Sequence, residues 1–276
     1  MLFQIGPLKA PGPDGFPARF YWRNWAHIKA DVVNAVKELF QSGHMAEGIN
    51  ETSIVLIPTV NQPVDLKDFR PISLCNVIYK IVSKCLVNRL RPILDELISV
   101  NQSAFVPGRM ITNNALLAFE CFHRIQKNRQ PNKATCAYKL DLSKAFDRVD
   151  WKFLEQAMYK LCFAHRWVSW IMTCISTVRF AVKFHGTLLN TFAPTRGLRQ
   201  GDPLSPFLVL FMVDRLSLLM DEKIYQGAIT PVKVCRSTPG ISHLLFADDT
   251  ILFFQAENGQ AKIIKEVLAN YATGTG

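Results

Sequence analysis

Short apolar runs and a longer helical rhythm divide this chain. In residues 243–254 (HLLFADDTILFF) two almost wholly apolar runs flank a polar centre. Runs of that length, rich in Leu, Ile and Phe, predict two strands, with residues 247–250 as the tight turn between them. A helical period governs other stretches. Val32, Val33, Val36, Leu39 and Phe40 share one face, with Gly43 placed to cap its end. Ile78, Ile81, Val82, Cys85 and Leu86 form a second stripe that starts near Asn76 and is interrupted by Pro92. Helices are also predicted over 113–128, 151–161, 167–175, 206–220 and 262–271. Further strands are predicted at 53–57, stopped by Pro58, at 135–142, at 179–184 before Gly186, and at 232–235. Residues 9–17, 61–70, 102–109, 127–133 and 195–203 read as connections, that at 127–133 as a hairpin-like break.

Strands and helices interleave without a regular strand–helix–strand rhythm, which argues against a doubly wound parallel sheet. An α+β chain is predicted instead, with a mixed sheet backed by helices on one side. The sequence has no G-x-x-x-x-G-K-[ST], no G-x-S-x-G and no H-E-x-x-H. The longest apolar stretch, 207–220, contains Asp214 and Arg215 and is too short to span a bilayer. The N-terminal residues hold too much Pro and Gly for a signal peptide.

At 276 residues there is room for one large or two modest domains. An apolar content of 49% and a charged content of 20% describe a globular chain. The balance of 32 basic against 22 acidic residues is the sign that a polyanion-binding protein needs, although basic proteins with other partners are common. Seven cysteines without a Cys-x-x-Cys pair point to a reducing compartment and no structural zinc.

Asp248 and Asp249 sit side by side between the two apolar runs. Asp is an ordinary turn residue, but adjacent carboxylates repel unless the turn is solvated or a cation sits on it. Asp141 and Asp147, a second acidic pair upstream, shift the balance towards a metal site. Two ions about 3.5–4 Å apart on carboxylates are a standard solution for in-line phosphoryl displacement. Asp141 at a strand end and Asp248–Asp249 at the hairpin tip are suitable donors if the two strands lie side by side, and Asp141 and Asp248 would then face each other.

Residues 139–149 (KLDLSKAFDRV), 196–206 (RGLRQGDPLSP) and 246–249 (FADD), in that order, resemble three central motifs of reverse transcriptases. Residues 68–74 (DFRPISL), 101–109 (NQSAFVPGR) and 9–15 (KAPGPDG) narrow the resemblance to LINE-type, non-LTR retrotransposon polymerases with a plant-like flavour. It covers about residues 9–271. The resemblance implies a right-hand polymerase: 1–50 a helical extension, 51–133 fingers, and 134–276 a palm of mixed or antiparallel sheet backed by helices. The reverse transcriptase domain would span about 51–276. Past residue 276 the fourth palm motif, with its Lys, and the thumb would follow, so a fragment or decayed copy lacking thumb and endonuclease is expected.

By the same resemblance, Asp141, Asp248 and Asp249 are the catalytic ligands of two Mg²⁺ ions, with Mn²⁺ as the alternative. Asp248 would be the direct ligand of the pair and Asp249 an outer one, while Asp147 is structural or substrate-side. Phe146 matches the aromatic gate against a ribose 2′-hydroxyl, a role compatible with core packing. Gln200 and Gly201 match the pair lying against nucleotide and template; Gly permits close backbone approach and the Gln amide both donates and accepts. Arg70 matches a triphosphate contact. Arg196 and Arg199 are template contacts or solvated charges, and Lys144 and Arg148 fit plain surface charges. The implied partners are an RNA template, a DNA primer and dNTPs, with no membrane, no obligate protein partner and a nuclear site of action. Thr59 follows Ile57-Pro58 where relatives commonly carry Lys, and loss of one charge-assisted contact would weaken nucleotide binding by about 1.5–3 kcal/mol. Two functions are therefore carried forward, an RNA-directed DNA polymerase and an inactive nucleic-acid-binding remnant of one. A phosphatase or nuclease on the same carboxylates would leave the gate and the Gln-Gly loop unexplained.

Overall fold

The structure, a computed structural model, describes residues 1–128, 134–142, 144–184, 186–235 and 237–275. Most of the expected break at 127–133 lies outside the described residues. In chain order the elements are α1 (Ala18–Arg23), α2 (Trp25–Ser42), β1 (Glu51–Pro58), β2 (Phe69–Cys75), α3 (Val77–Leu90), α4 (Leu94–Leu97) and α5 (Ile111–Lys127). There follow β3 (Thr135–Asp141), α6 (Ala145–Arg148), α7 (Trp151–Lys160), α8 (His165–Ser176), β4 (Arg179–Phe184) and β5 (Thr187–Leu188). The last are α9 (Ser205–Tyr225), β6 (His243–Phe246), β7 (Asp249–Gln255) and α10 (Asn258–Thr275). Among the described residues no helix is long and apolar enough to cross a membrane.

Two compact units are each built from two stretches of chain: Met1–Leu90 with Glu155–Ser205, and Arg91–Leu154 with Pro206–Gly276. Neither coincides with the contiguous division at 50 and 133. The cause is strand pairing: β4 returns to lie parallel to β1, from Glu51↔Arg179 to Ile54↔Val182. A parallel neighbour requires a long crossover, and here the crossover contains the first stretch of the other unit.

In the first unit the sheet order is β2-β1-β4-β5, antiparallel except for the β1–β4 pair. Strand β2 begins inside the region read as a connection, and its assignment is a correction. Pro71 lowers the strand signal, but a proline is tolerated on an edge, and β2 is an edge strand. Helix α2 buries Val32, Val36 and Leu39 and ends as expected, with Gly43 at φ +78 donating its N–H to Leu39 O. Helix α3 is buried on more than its predicted stripe, taking in Val77, Tyr79, Lys80, Val87 and Leu90. It gives way to a 3-10 turn, Arg91–Ile93, at the predicted Pro92.

In the second unit the sheet order is β3-β7-β6, antiparallel throughout. Leu252 and Phe254 of β7 pack with Leu216 and Met220 of α9 and with Ile264 and Val267 of α10. The opposite face, with Leu244 and Phe253, packs on Ala118 and Cys121 of α5. Helices therefore cover both faces, not one. Consecutive apolar residues in LLF and ILFF, in place of alternation, are the pattern of a strand buried on both sides. The predicted strand at 232–235 is a single bridge, Val232↔Ile241, because Val232 and Val234 offer too short an alternation to extend the ladder. Helices α1, α4 and α6 were not predicted; four to six residues are too few to show a period.

Candidate active site

The acidic hairpin is in the second unit. Phe246 pairs with Asp249, so the connection is Ala247–Asp248 alone and Asp249 opens β7. Ala247 has φ +59 and Asp248 has no positive φ, the sign pattern of a type II′ turn. Glycine is the usual residue there, and an alanine held in that region stores about 1–3 kcal/mol.

Strand β3 runs antiparallel to β7 with Asp141 directly opposite Asp249. The partner of Asp141 across the strands is thus Asp249 and not Asp248, because the turn takes up only two residues. Directly opposed residues share a face of the sheet, so these carboxylates emerge side by side. Asp248 leaves from the adjoining turn. Lys139, two residues before Asp141 on the same face, places Nζ 3.2 Å from Asp249 Oδ1. Among the described residues no three His, Cys, Asp or Glu side chains gather closely enough to hold one ion. The donor set, carboxylate oxygens only, is of the hard kind that suits Mg²⁺ or Mn²⁺.

Past β3, the chain turns through Lys144 at φ +57 into α6, a single helical turn carrying Phe146 half-buried. Asp147, Lys144 and Arg148 are exposed. The hairpin is braced by residues 101–105. Leu245 N–H donates to Asn101 O at 2.9 Å and Ser103 N–H to Leu245 O at 3.2 Å. Gln102, buried, reaches the backbone of Ala247 through both ends of its amide. His243 is wholly buried, and burial pushes its pKa down to about 4. Its ring is therefore neutral, with Nδ1 bonded to Ser242 and Nε2 within reach of Ser217 and Asn101. Arg109 closes the same loop by bonding Asp95 and the carbonyls of Asp95, Ile98, Ser99 and Gln102.

In the first unit, Gln200 and Gly201 lie against β2, the strand that carries Arg70. Ser73 N–H donates to Gln200 O at 2.8 Å. Gly201 has φ +102, and a Cβ there would lie 3.2 Å from Ser73 O, so both backbone angle and space call for glycine. Arg70 and Arg196 are exposed. Arg199 corrects both of its expected roles. It is 4% exposed and Asp202 2%. Its guanidinium donates to Asn50 Oδ1 (2.6 Å), Thr52 Oγ1 (3.3 Å) and Cys174 O (2.8 Å). It also lies 3.7 Å from the Tyr79 ring centroid and 3.7 Å from Asp202 Oδ2. Burial pushes the Tyr79 phenol well above its ordinary pKa, so its O–H stays in place to donate to Asp202 Oδ2 at 2.8 Å. Thr59 closes the β1–β2 hairpin, its N–H and hydroxyl both donating to Asp68 O. Two backbone N–H groups, from Asp65 and Val64, hold the Asp68 carboxyl below its usual pKa.

Sequence reasoning missed Gln102, Tyr79 and Asp202 and misjudged Arg199. Residues 101–109 and 196–206 were singled out as stretches, but a buried polar side chain in a loop has no periodicity to betray it.

A family profile described as reverse transcriptase (RNA-dependent DNA polymerase) matches residues 58–273. The chain is 30% identical, over 90% of its length, to the transposon TX1 uncharacterized 149 kDa protein of Xenopus laevis. It is 24% identical, over 96% of its length, to the retrovirus-related Pol polyprotein from type-2 retrotransposable element R2DM of Drosophila melanogaster. Over 66 residues, 24% of the chain, it is 51% identical to an uncharacterized mitochondrial protein of Arabidopsis thaliana. It spans 18%, 24% and 54% of the lengths of these relatives.

Proposed function

The chain belongs to the reverse transcriptase (RNA-dependent DNA polymerase) family, and on that premise we propose that it carries out RNA-directed DNA synthesis. A nucleotide would pass from a dNTP to the 3′-hydroxyl of a DNA primer annealed to an RNA template. The observation that carries this reading is the strand register that sets Asp141 against Asp249 beside the Ala247–Asp248 turn. Asp141, Asp248 and Asp249 would hold the divalent ions, Mg²⁺ or Mn²⁺, that the family uses. When bound, such ions favour ionisation of an attacking hydroxyl and offset charge on the phosphate. Arg70, exposed on β2, would pair with the triphosphate, and the Gln200–Gly201 segment packed against that strand would lie against base and sugar. Synthesis on a nuclear chromosomal primer is part of the same proposal.

Phe146 would exclude ribonucleotides by bulk. Primer extension on an RNA template, with dNTPs or rNTPs, tests both the activity and the gate. DNA product that requires template, primer and divalent ion is expected. Phe146→Ala should raise rNTP use relative to dNTP by on the order of 10–100-fold. An active chain with unchanged sugar preference would remove the gate.

A second reading, a nucleic-acid-binding remnant without turnover, is favoured by Thr59, whose hydroxyl is committed to Asp68 O at the position where the resemblance implies a Lys. Both readings require phosphate tracking by the basic surplus of the chain. RNA·DNA duplex affinity should therefore fall by about a hundredfold or more between 50 and 200 mM salt. A flat salt dependence in a filter-binding or anisotropy titration would count against either. Salt-dependent binding with no DNA product would select the second.

A further inference from the structure

Ala247 is held with φ +59 directly before Asp248, without the glycine that such a turn favours. Gln102 meets it with both ends of one amide. Its Oε1 accepts from the Ala247 N–H at 3.0 Å, and its Nε2 donates to Ala247 O at 3.3 Å. Oε1 also accepts from the Ala104 N–H at 2.9 Å, which fixes which end of the amide is oxygen. The side chain is 1% exposed, and its backbone forms a parallel bridge to Leu245, so it is delivered to the turn by pairing with β6 itself. A residue that merely filled space would not need an acceptor and a donor aimed at the two peptide groups on either side of one Cα.

We propose that Gln102 is a positioning residue: it fixes the backbone of Ala247 at its positive φ and thereby sets the direction in which the Asp248 carboxylate leaves the turn. This rests on the reading of Asp248 as an ion ligand given above. Partners that orient a ligand from behind typically change metal affinity by 10–100-fold when lost.

The test uses the full chain as wild type, Gln102→Met, Gln102→Met/Ala247→Gly and Asp248→Asn. Met keeps length and volume while removing all three side-chain hydrogen bonds, two to Ala247 and one to Ala104. Gly at 247 accepts the positive φ without support. Three readouts are taken: amide exchange at Ala247 against Leu245, free Mn²⁺ by electron paramagnetic resonance, and primer extension. With Gln102→Met, exchange at Ala247 should rise about tenfold or more while Leu245, bonded to Asn101 O, stays protected. The Mn²⁺ Kd should rise about tenfold, and Ala247→Gly should return it to within about threefold of wild type. Unchanged Mn²⁺ affinity and extension in Gln102→Met would overturn the proposal. So would a loss that Ala247→Gly does not restore and that follows a general fall in melting temperature. If Asp248→Asn binds Mn²⁺ as wild type does, it is the ion-ligand reading that fails. Exchange at Ala247 then decides alone whether Gln102 holds the turn, and unchanged protection overturns that too.

Discussion

Asp248→Asn should reduce primer extension by on the order of a thousandfold or more while leaving the melting temperature within about one degree. The amide has the shape of the carboxylate and keeps one oxygen, so the turn and its bonds through Ala247 are undisturbed. The negative charge is what is lost. A hard divalent ion binds through charge as much as geometry, and its Lewis-acid contribution is worth several kcal/mol, each 1.36 kcal/mol being tenfold in rate. Asp248 leaves a two-residue turn, after Ala247 at positive φ, next to the register-paired Asp141 and Asp249. Single-turnover extension in Mg²⁺, with Glu266→Gln on the exposed side of α10 as the control, reads the effect. Activity within tenfold of wild type would remove Asp248 from the chemistry and the two-ion reading with it.

The largest effect on stability is expected at Arg199. Arg199→Met should cost about 3–5 kcal/mol, because Asp202 then remains buried without its cation. Part of the Asp202 charge would still be met by the Tyr79 hydroxyl, the Leu204 N–H and Ser205 Oγ. The guanidinium donors to Asn50, Thr52 and Cys174 O have no such replacement, and an ammonium cannot reproduce the planar fork. Arg199→Lys should therefore recover only part of the loss. For a chain of this size the shift in melting temperature is on the order of 10 °C. Thermal unfolding of the two variants beside wild type measures it. A change of under 1 kcal/mol in Arg199→Met would mean that the buried pair contributes little to holding the first unit.

What could be read from the sequence was what repeats or alternates. The stripe Val32–Val36–Leu39 with Gly43 gave helix α2 and its left-handed cap, and the paired apolar runs gave the hairpin of β6 and β7. The acidic positions were legible through their motifs, but the register that opposes Asp141 to Asp249 depends on a turn length fixed only in three dimensions. Strand β2 was hidden because Pro71 argues locally against a strand while its edge position permits one. Arg199 was misjudged for a similar reason. A guanidinium in a polar loop looks solvated until Asn50, Tyr79 and Asp202, remote in sequence from one another, are seen around it.

The parallel alignment of β1 with β4 sets a timetable for the nascent chain. When Pro58 has left the ribosome, the hydrogen-bonding edge of β1 that will receive Arg179–Val182 stays open until roughly 120 further residues have been made. At about 5–20 residues per second this lasts on the order of ten seconds, long for an unpaired edge rich in Ile, Val and Leu. During that interval much of the other half of the molecule is translated, and Thr135–Asp141 in turn waits for Asp249–Gln255. Neither half can be finished before the other has begun, so co-translational holding by a chaperone bears directly on the yield of folded polypeptide.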